Sequence, residues 1–242
     1  MIQNVFSRIE KKYLLNKSQF EHVIRALEPY MEIDEYGLHM IRNIYYDTSN
    51  QELIRTSLDK PCYKEKFRVR CYGEPTQDAK IFLEIKKKYQ GVVNKRRIAL
   101  PYKEAMAYLN DGTKPQKTDW QIFREIDYFF NHYDLRPEVY LAYDRIALFG
   151  KENPDFRVTF DQNIRSRNSK LLLENDTDTT PLLEEGYRLM EVKISDSLPL
   201  WFVDILNREQ IRNISFSKYG NVYRNNLISG VYHYSVKEVE IC

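Results

Sequence analysis

Between residues 62 and 72 the chain sets Lys64, Lys66, Arg68 and Arg70 at every second position. Side chains of a β-strand alternate between its two faces, so these four cations share one face while Phe67, Val69 and Cys71 take the other with Glu65. The alternation recurs. Glu84, Lys86 and Lys88 oppose Ile81, Leu83 and Ile85, and Glu191 and Lys193 oppose Met190, Val192 and Ile194. Arg8, Glu10 and Lys12 fall together, Lys95 and Arg97 oppose Arg96 and Ile98, and Arg145 and Arg157 add one cation each to largely apolar strands. Rows of Arg and Lys with a few carboxylates suit a chain of phosphates. Arg makes bidentate contacts to phosphate, Lys acts as a point charge, and carboxylates hold a divalent metal.

The charge is local. From Lys60 to Arg97 there are twelve Lys/Arg and four Asp/Glu, a surplus of +8, whereas the whole chain of 242 residues carries only +2, so the remainder sums to −6. That distribution predicts a confined anion site rather than a uniformly basic surface.

The elements that must position these residues follow from periodicity and turn residues. Strands are expected at 5–15, 41–47, 62–72, 79–89, 92–100, 137–149, 155–162 and 187–195, with hairpin turns at Gly73-Glu74-Pro75 and Gln90-Gly91. Helices are expected at 17–29, 101–110, 118–133, 198–208 and 215–227, the first capped by Ser18 with Glu21 completing a capping box. Residues 174–186 read as a surface loop and the last ten or so as peripheral. A half-exposed sheet would explain any one strand. It does not explain the set, because like charges on neighbouring strands repel and solvated faces mix both signs. Amphipathic helices need an apolar surface to cover, and the apolar strand faces supply it. The charged faces then point inward. The expectation is an α+β chain, one domain over 1–242, forming a closed eight-stranded antiparallel β-barrel with helices outside.

Other chemistries find no support. There is no Gly-x-x-x-x-Gly-Lys loop, no Gly-x-Gly-x-x-Gly and no Gly-x-Ser-x-Gly. His22, His39, His132 and His233 have no ligand spacing, and nor do Cys62, Cys71 and Cys242. The nineteen tyrosines fall mostly where core packing accounts for them, so nucleic acid is not expected as a partner. No apolar run approaches the roughly 20 residues of a membrane span, and no apolar leader follows Met1.

These residues resemble a known family, the polyphosphate polymerase (VTC) domain of the triphosphate tunnel metalloenzyme superfamily, over residues 5–225 and most closely in its bacterial stand-alone versions. The resemblance is carried by Arg8-Ile-Glu-Lys-Lys-Tyr13, Ile44-Tyr-Tyr-Asp-Thr48, Lys64-Glu-Lys-Phe-Arg-Val-Arg-Cys-Tyr-Gly73 and Phe82-Leu-Glu-Ile-Lys-Lys-Lys88. It continues in Lys95-Arg-Arg97, Tyr143-Asp-Arg145, Met190-Glu-Val-Lys193 and Phe216-Ser-Lys-Tyr219. It implies a tunnel barrel that moves the γ-phosphate of ATP onto a polyphosphate chain, with a divalent metal, Mn²⁺ or Mg²⁺. It implies a phosphate-binding set of Lys12, Lys60, Arg68, Arg70, Lys86, Lys95, Arg145, Arg157 and Lys218, with Ser217 beside the last lysine and Glu191 on the metal. Lys66, Arg97 and Lys193 join the substrate set through the alternation, and Glu84 and Glu10 join Glu191 as metal candidates.

Two positions depart from the pattern. Hydrolytic relatives begin Glu-x-Glu-x-Lys, where this chain has Arg8, Glu10 and Lys12, which favours polymerisation. A lysine common three residues before the last one is Ser215 here. The alternatives are a metal-dependent tripolyphosphatase or nucleoside triphosphatase, and a sensor that binds polyphosphate without turnover. ATP and polyphosphate or pyrophosphate are the expected partners. The expected location is cytoplasmic, peripheral at the inner face of the membrane if a membrane protein exports the product.

Overall fold

The computed structural model describes residues 9–90, 92–116, 120–174, 176–195 and 197–231. The chain runs β1 (Ile9–Leu15), α1 (Lys17–Leu27), β2 (Met31–Ile33), β3 (His39–Asp47), α2 (Glu52–Leu58), β4 (Tyr63–Tyr72), β5 (Lys80–Tyr89) and β6 (Val92–Pro101). It continues α3 (Tyr102–Asp111), α4 (Trp120–His132), β7 (Arg136–Gly150), β8 (Arg157–Arg167), β9 (Thr180–Pro181), β10 (Arg188–Ile194), α5 (Leu200–Arg208) and α6 (Lys218–Ile228). All eight expected strands and five expected helices are present. The short β2, β9 and α2 are additions. Arg8, Gly91, Cys242, His233 and the terminal segment expected to be peripheral lie outside the described residues.

One antiparallel sheet carries the order β1-β10-β8-β7-β3-β4-β5-β6, with β2 and β9 as short additions to β7 and β8. The expected closed ring is corrected in one respect: among the described residues no backbone ladder joins β6 to β1. The sheet nevertheless curls into a barrel. Lys86 Nζ on β5, seventh in the order, lies 3.5 Å from Glu10 Oε2 on β1, the first. Side chains therefore span the seam that backbone hydrogen bonds leave open.

The helices sit where the alternation requires. α3 and α4 cover the outer faces of β4 to β6, burying Phe67, Leu83, Ile98, Phe123 and Ile126. α1 and α5 cover the outer faces of β1, β8 and β10, burying Val23, Met190, Val158 and Phe202. Arg96, alone among the cations of β6, turns outward to Glu125 of α4 at 3.5 Å. The cap of α1 is corrected from Ser18 to Asn16. Asn16 Oδ1 accepts from Gln19 N at 2.9 Å and Gln19 Oε1 accepts from Asn16 N at 3.1 Å. An Asn-x-x-Gln pair closes the same reciprocal box as Ser-x-x-Glu.

Phe67 is fully buried, with its ring 5.5 Å from Tyr46, 5.9 Å from Phe130 and 6.3 Å from Phe129. Its truncation removes contacts from strand and helix at once. Phe67→Ala is expected to cost about 3–5 kcal/mol, read as a lowered urea midpoint at unchanged slope.

Candidate functional site: a cationic tunnel

The inward faces of the eight long strands and the start of α6 line a cavity of about 1670 Å³, which also reaches Arg96 and Ile98 of β6 and Ile122 of α4. All sixteen residues expected to bind phosphate or metal line it. β1 supplies Glu10 and Lys12, β4 supplies Lys66, Arg68 and Arg70, β5 supplies Glu84 and Lys86, and β6 supplies Lys95 and Arg97. β7 supplies Arg145, β8 Arg157, β10 Glu191 and Lys193, and α6 with its cap Lys218 and Ser217; Lys60 sits just before β4. Lys64, Lys88 and Arg224 join them, whereas Glu10, Glu84 and Glu191 are the three carboxylates of the lining. The surplus is positive, so the cavity favours anionic contents.

Two carboxylate centres organise this charge. Glu84, buried, accepts from Arg68 Nε at 2.6 Å, pairs with Lys95, and lies 3.8 Å from Arg70 Nε. Burial alone would raise its pKa, but Arg68, Arg70 and Lys95 hold it well below the ordinary carboxylate range. On the other wall Glu191 Oε1 lies 2.8 Å from Lys218 Nζ and 3.5 Å from Lys12 Nζ, while Oε2 is 3.5 Å from Arg145. Lys218, Lys12 and Arg145 together overcome its desolvation and keep it ionised.

Asp161 escaped sequence reasoning. It is wholly buried on β8, accepts from Arg145 Nε and NH2 at 2.6 and 2.7 Å, and lies 2.5 Å from Lys218 Nζ. The parity that places Arg157 inward also places Thr159 and Asp161 inward, a signal that was present in the sequence. Asn43, Tyr45 and Tyr143 were missed too. Arg70 donates from Nε to Asn43 Oδ1 at 2.9 Å and from NH2 to Tyr143 Oη at 3.1 Å, and Arg68 NH1 donates to Tyr45 Oη at 3.2 Å. Asn43 in turn donates to the Leu141 carbonyl at 3.0 Å. These partners fix the guanidinium planes before any ligand arrives.

Lysines without such partners respond differently. Lys66 and Lys193 have no carboxylate within ion-pair distance among the described residues. Burial, aided by neighbouring cations, pulls Lys66 down to about 7 and Lys193 to about 8. Lys95 falls to about 7 because its burial, with Arg68 and Arg70 nearby, outweighs Glu84.

The floor of the site is the start of α6. Ser217 caps the helix, its Oγ accepting from Gly220 N at 3.1 Å and from Lys66 Nζ at 3.2 Å. A Cβ at Gly220 would stand 3.0 Å from the Leu58 side chain of α2 and from Ser217 Cβ, so the absence of a side chain eases the close approach of the two helices. Tyr219 donates to Asp47 Oδ2 at 2.8 Å and stacks on Tyr45 at 4.8 Å, which ties α6 to β3. Ser215 also lines the cavity.

The donor set can be tested against a divalent cation. No group of three His, Cys, Asp or Glu side chains gathers among the described residues. Glu10 and Glu191 do converge on Lys12, at 3.3 and 3.5 Å. Mg²⁺-like ions are bound through one or two carboxylates completed by phosphate oxygens and water, so this pair fits a metal that arrives with phosphate.

Comparison with known proteins agrees with this geometry. The profile of the family described as the VTC domain matches residues 7–225. No curated protein sequence matches the chain. A solved structure from Bacillus halodurans, described as a candidate adenylate cyclase, superposes with a TM-score of 0.56 at 16% identity, covering 89% of this chain and 96% of that one. A candidate adenylyl cyclase from Hippeastrum, described as having a dominant triphosphatase activity, gives 0.55 at 16% identity, covering 90% and 96%. At such identity the likeness is one of fold.

Proposed function

The chain belongs to the VTC-domain family, and from that premise we propose that it is a metal-dependent polyphosphate polymerase, transferring the γ-phosphate of ATP to the end of a polyphosphate chain. The observation that carries this reading is the convergence of Arg68, Arg70, Lys86, Lys95, Arg145 and Lys218 on one cavity whose carboxylates are already neutralised by neighbours. Arg8, in place of a carboxylate, favours polymerisation over hydrolysis.

Phosphoryl transfer asks the protein for in-line positioning and for neutralisation of charge spread over the transferring group. Arg68 and Arg70 stand on one rigid strand with their planes set by Tyr45, Asn43 and Tyr143, and grip non-reacting oxygens. Lys12, Arg145 and Lys218, held by Glu191 and Asp161, face them from the other wall. The terminal phosphate of the growing chain is itself the nucleophile, so no protein nucleophile is required. Lys60, Lys66, Lys86, Lys95, Arg97, Arg157, Lys193 and Ser217 hold the remaining phosphates. Glu191 and Glu10 would hold Mn²⁺ or Mg²⁺, which supplies Lewis-acid neutralisation between phosphates. The amides at the start of α6 favour an anion there.

Cytoplasmic placement suits the unpaired thiols of Cys62 and Cys71. No described helix is long and apolar enough to cross a membrane, and a membrane protein that exports the product belongs to the same proposal.

Labelled ATP with Mn²⁺ tests the reading. Long labelled chains with ADP are expected on a gel. Free phosphate alone would mean a hydrolase, and binding without turnover a sensor. Glu191→Gln is expected to lower turnover at least 100-fold, because the metal loses a ligand and Lys218 and Lys12 lose their counter-charge. Full activity in that variant would remove Glu191 from the site.

A further inference from the structure

We propose that His39, Tyr72 and Phe82, which stand just beyond the lining residues Arg70, Arg97 and Ala99, form a nucleobase subsite, so that a nucleoside triphosphate lies with its base at this mouth of the tunnel and its phosphates pointing toward Lys66 and Lys86. The proposal deepens the reading of the cavity as an ATP site and rests on it. On four adjacent strands the inward row changes character at the same end. The cationic row of β4 ends in Tyr72, that of β5 holds Phe82 between the exposed Lys80 and the buried Glu84, β6 passes from Arg97 to Ala99, and β3 begins with His39. The register Arg70↔Phe82↔Ala99 places these residues side by side.

The rings form an open corner rather than a filled core. Tyr72 is 40% exposed and meets Phe82 edge-on at 5.4 Å and 88°. His39 lies 6.1 Å from Tyr72, and Tyr36, 68% exposed, stands edge-on to His39 at 5.9 Å. Ala99, beside Phe82 in the register, leaves space where a longer side chain would fill it. Arg97 lies 5.1 Å over the Phe82 ring and Arg70 lies 5.6 Å over Tyr72 while donating to its hydroxyl at 3.2 Å. The cations nearest the rings are thus the first cations of the phosphate path. Tyr72 to Arg68 is four residues along one strand, about 13 Å, a span suited to a ribose and its first phosphates.

The opposite mouth is built differently. Lys60, Lys64 and Lys88 line it, and the exposed rings nearby, Tyr63 and Tyr89, belong to the outward-facing set of β4 and β5. A planar π-system covers exposed aromatic faces and accepts guanidinium stacking, whereas a bare phosphate chain does neither. The asymmetry gives the tunnel a direction: base and spent diphosphate at the aromatic mouth, the growing chain at the lysine mouth.

Titration calorimetry of the full chain with ATP and with inorganic tripolyphosphate, on wild type, Tyr72→Phe and Tyr72→Ala, tests this. Tyr72→Phe keeps the ring and loses only the hydroxyl that Arg70 holds, so it measures the cost of loosening Arg70. Relative to Tyr72→Phe, Tyr72→Ala is expected to weaken ATP by about tenfold, within the roughly 5- to 150-fold seen per stacked base, and to leave tripolyphosphate unchanged. His39→Ala is expected to show the same selectivity with a smaller effect. Equal weakening of both ligands in Tyr72→Ala would overturn the subsite. ATP binding without tripolyphosphate binding would overturn the polyphosphate reading and keep the subsite. Binding of neither would overturn both.

Discussion

Arg70→Ala is expected to lower phosphoryl transfer by about 1000-fold or more while the barrel stays folded. The buried guanidinium is fixed on every side: Nε by Asn43, NH1 by Tyr72 and NH2 by Tyr143, with Glu84 3.8 Å away. A donor held this rigidly needs no reorganisation as negative charge shifts during transfer, the condition under which single cationic or hydrogen-bonding groups are worth about 100- to 100,000-fold in rate. Arg70→Lys is expected to recover little, because an ammonium cannot satisfy three directional partners and a phosphate oxygen at once. The stability cost should be moderate, about 1–3 kcal/mol for the orphaned Asn43 carbonyl, so a circular-dichroism melt separates lost chemistry from lost fold. Wild-type turnover in folded Arg70→Ala would show that transfer happens elsewhere in the cavity.

Polyanion binding is expected to weaken steeply as pH rises from 7 to 9. Without ligand, burial and like-charged neighbours hold Lys66 and Lys95 near 7 and Lys193 near 8. Phosphate binds the ammonium form and raises each of these values. Below about pH 6.5 the three lysines are protonated in advance and binding takes up no protons. Above pH 8 each must capture a proton as the ligand arrives, and affinity falls by up to about one decade per pH unit per lysine. Phosphate groups, with a second pKa near 6, are already charged across this range and do not mask the trend. Calorimetry at pH 8.5 in buffers of different ionisation enthalpy should report net proton uptake. Flat affinity between pH 7 and 9 would mean that these lysines are charged in the empty tunnel. Stability has its own sign. These lysines titrate near 10.4 when unfolded and lower when folded, so between about pH 8 and 10 the unfolded chain binds more protons. Through these groups the ligand-free protein therefore gains stability as pH rises, until the unfolded lysines also lose their protons.

Much of this was legible in the chain because one signal served two purposes. The period-two rows of Lys64 to Arg70 and Glu84 to Lys88 identify strands and at the same time mark which face meets the ligand. Isolated residues were harder. Asp161 is the one carboxylate in a strand of mixed polar and apolar residues, and its role depends on Lys218, far away in sequence. Tyr45 and Tyr143 look like core tyrosines, and they are buried; that their hydroxyls hold arginines is a matter of register. α2 was missed because no residue at its start announces it. Gln51, in the N-cap position, has φ +55° and makes no side-chain cap. The helix is capped from the end of β3 instead: Asp47 accepts from Leu53 N and Ile54 N at 2.9 and 3.0 Å, and Thr48 Oγ1 from Glu52 N at 2.9 Å. A helix held from six residues upstream leaves no local signature of the usual kind.

The seam between β1 and β6 gives the wall an uneven stiffness. Seven consecutive pairings resist deformation through their backbone ladders; between β6 and β1, where the described residues form no ladder, Lys86 of β5 reaches Glu10 of β1 through long, rotatable side chains. A tube slit along one line is far more compliant in opening than in bending. Any widening of the bore is therefore concentrated at that line, while β1 stays tied to β10 by a seven-residue ladder and to Asn213 and Ile214 through the Lys12 backbone, which keeps Lys12 against Glu191.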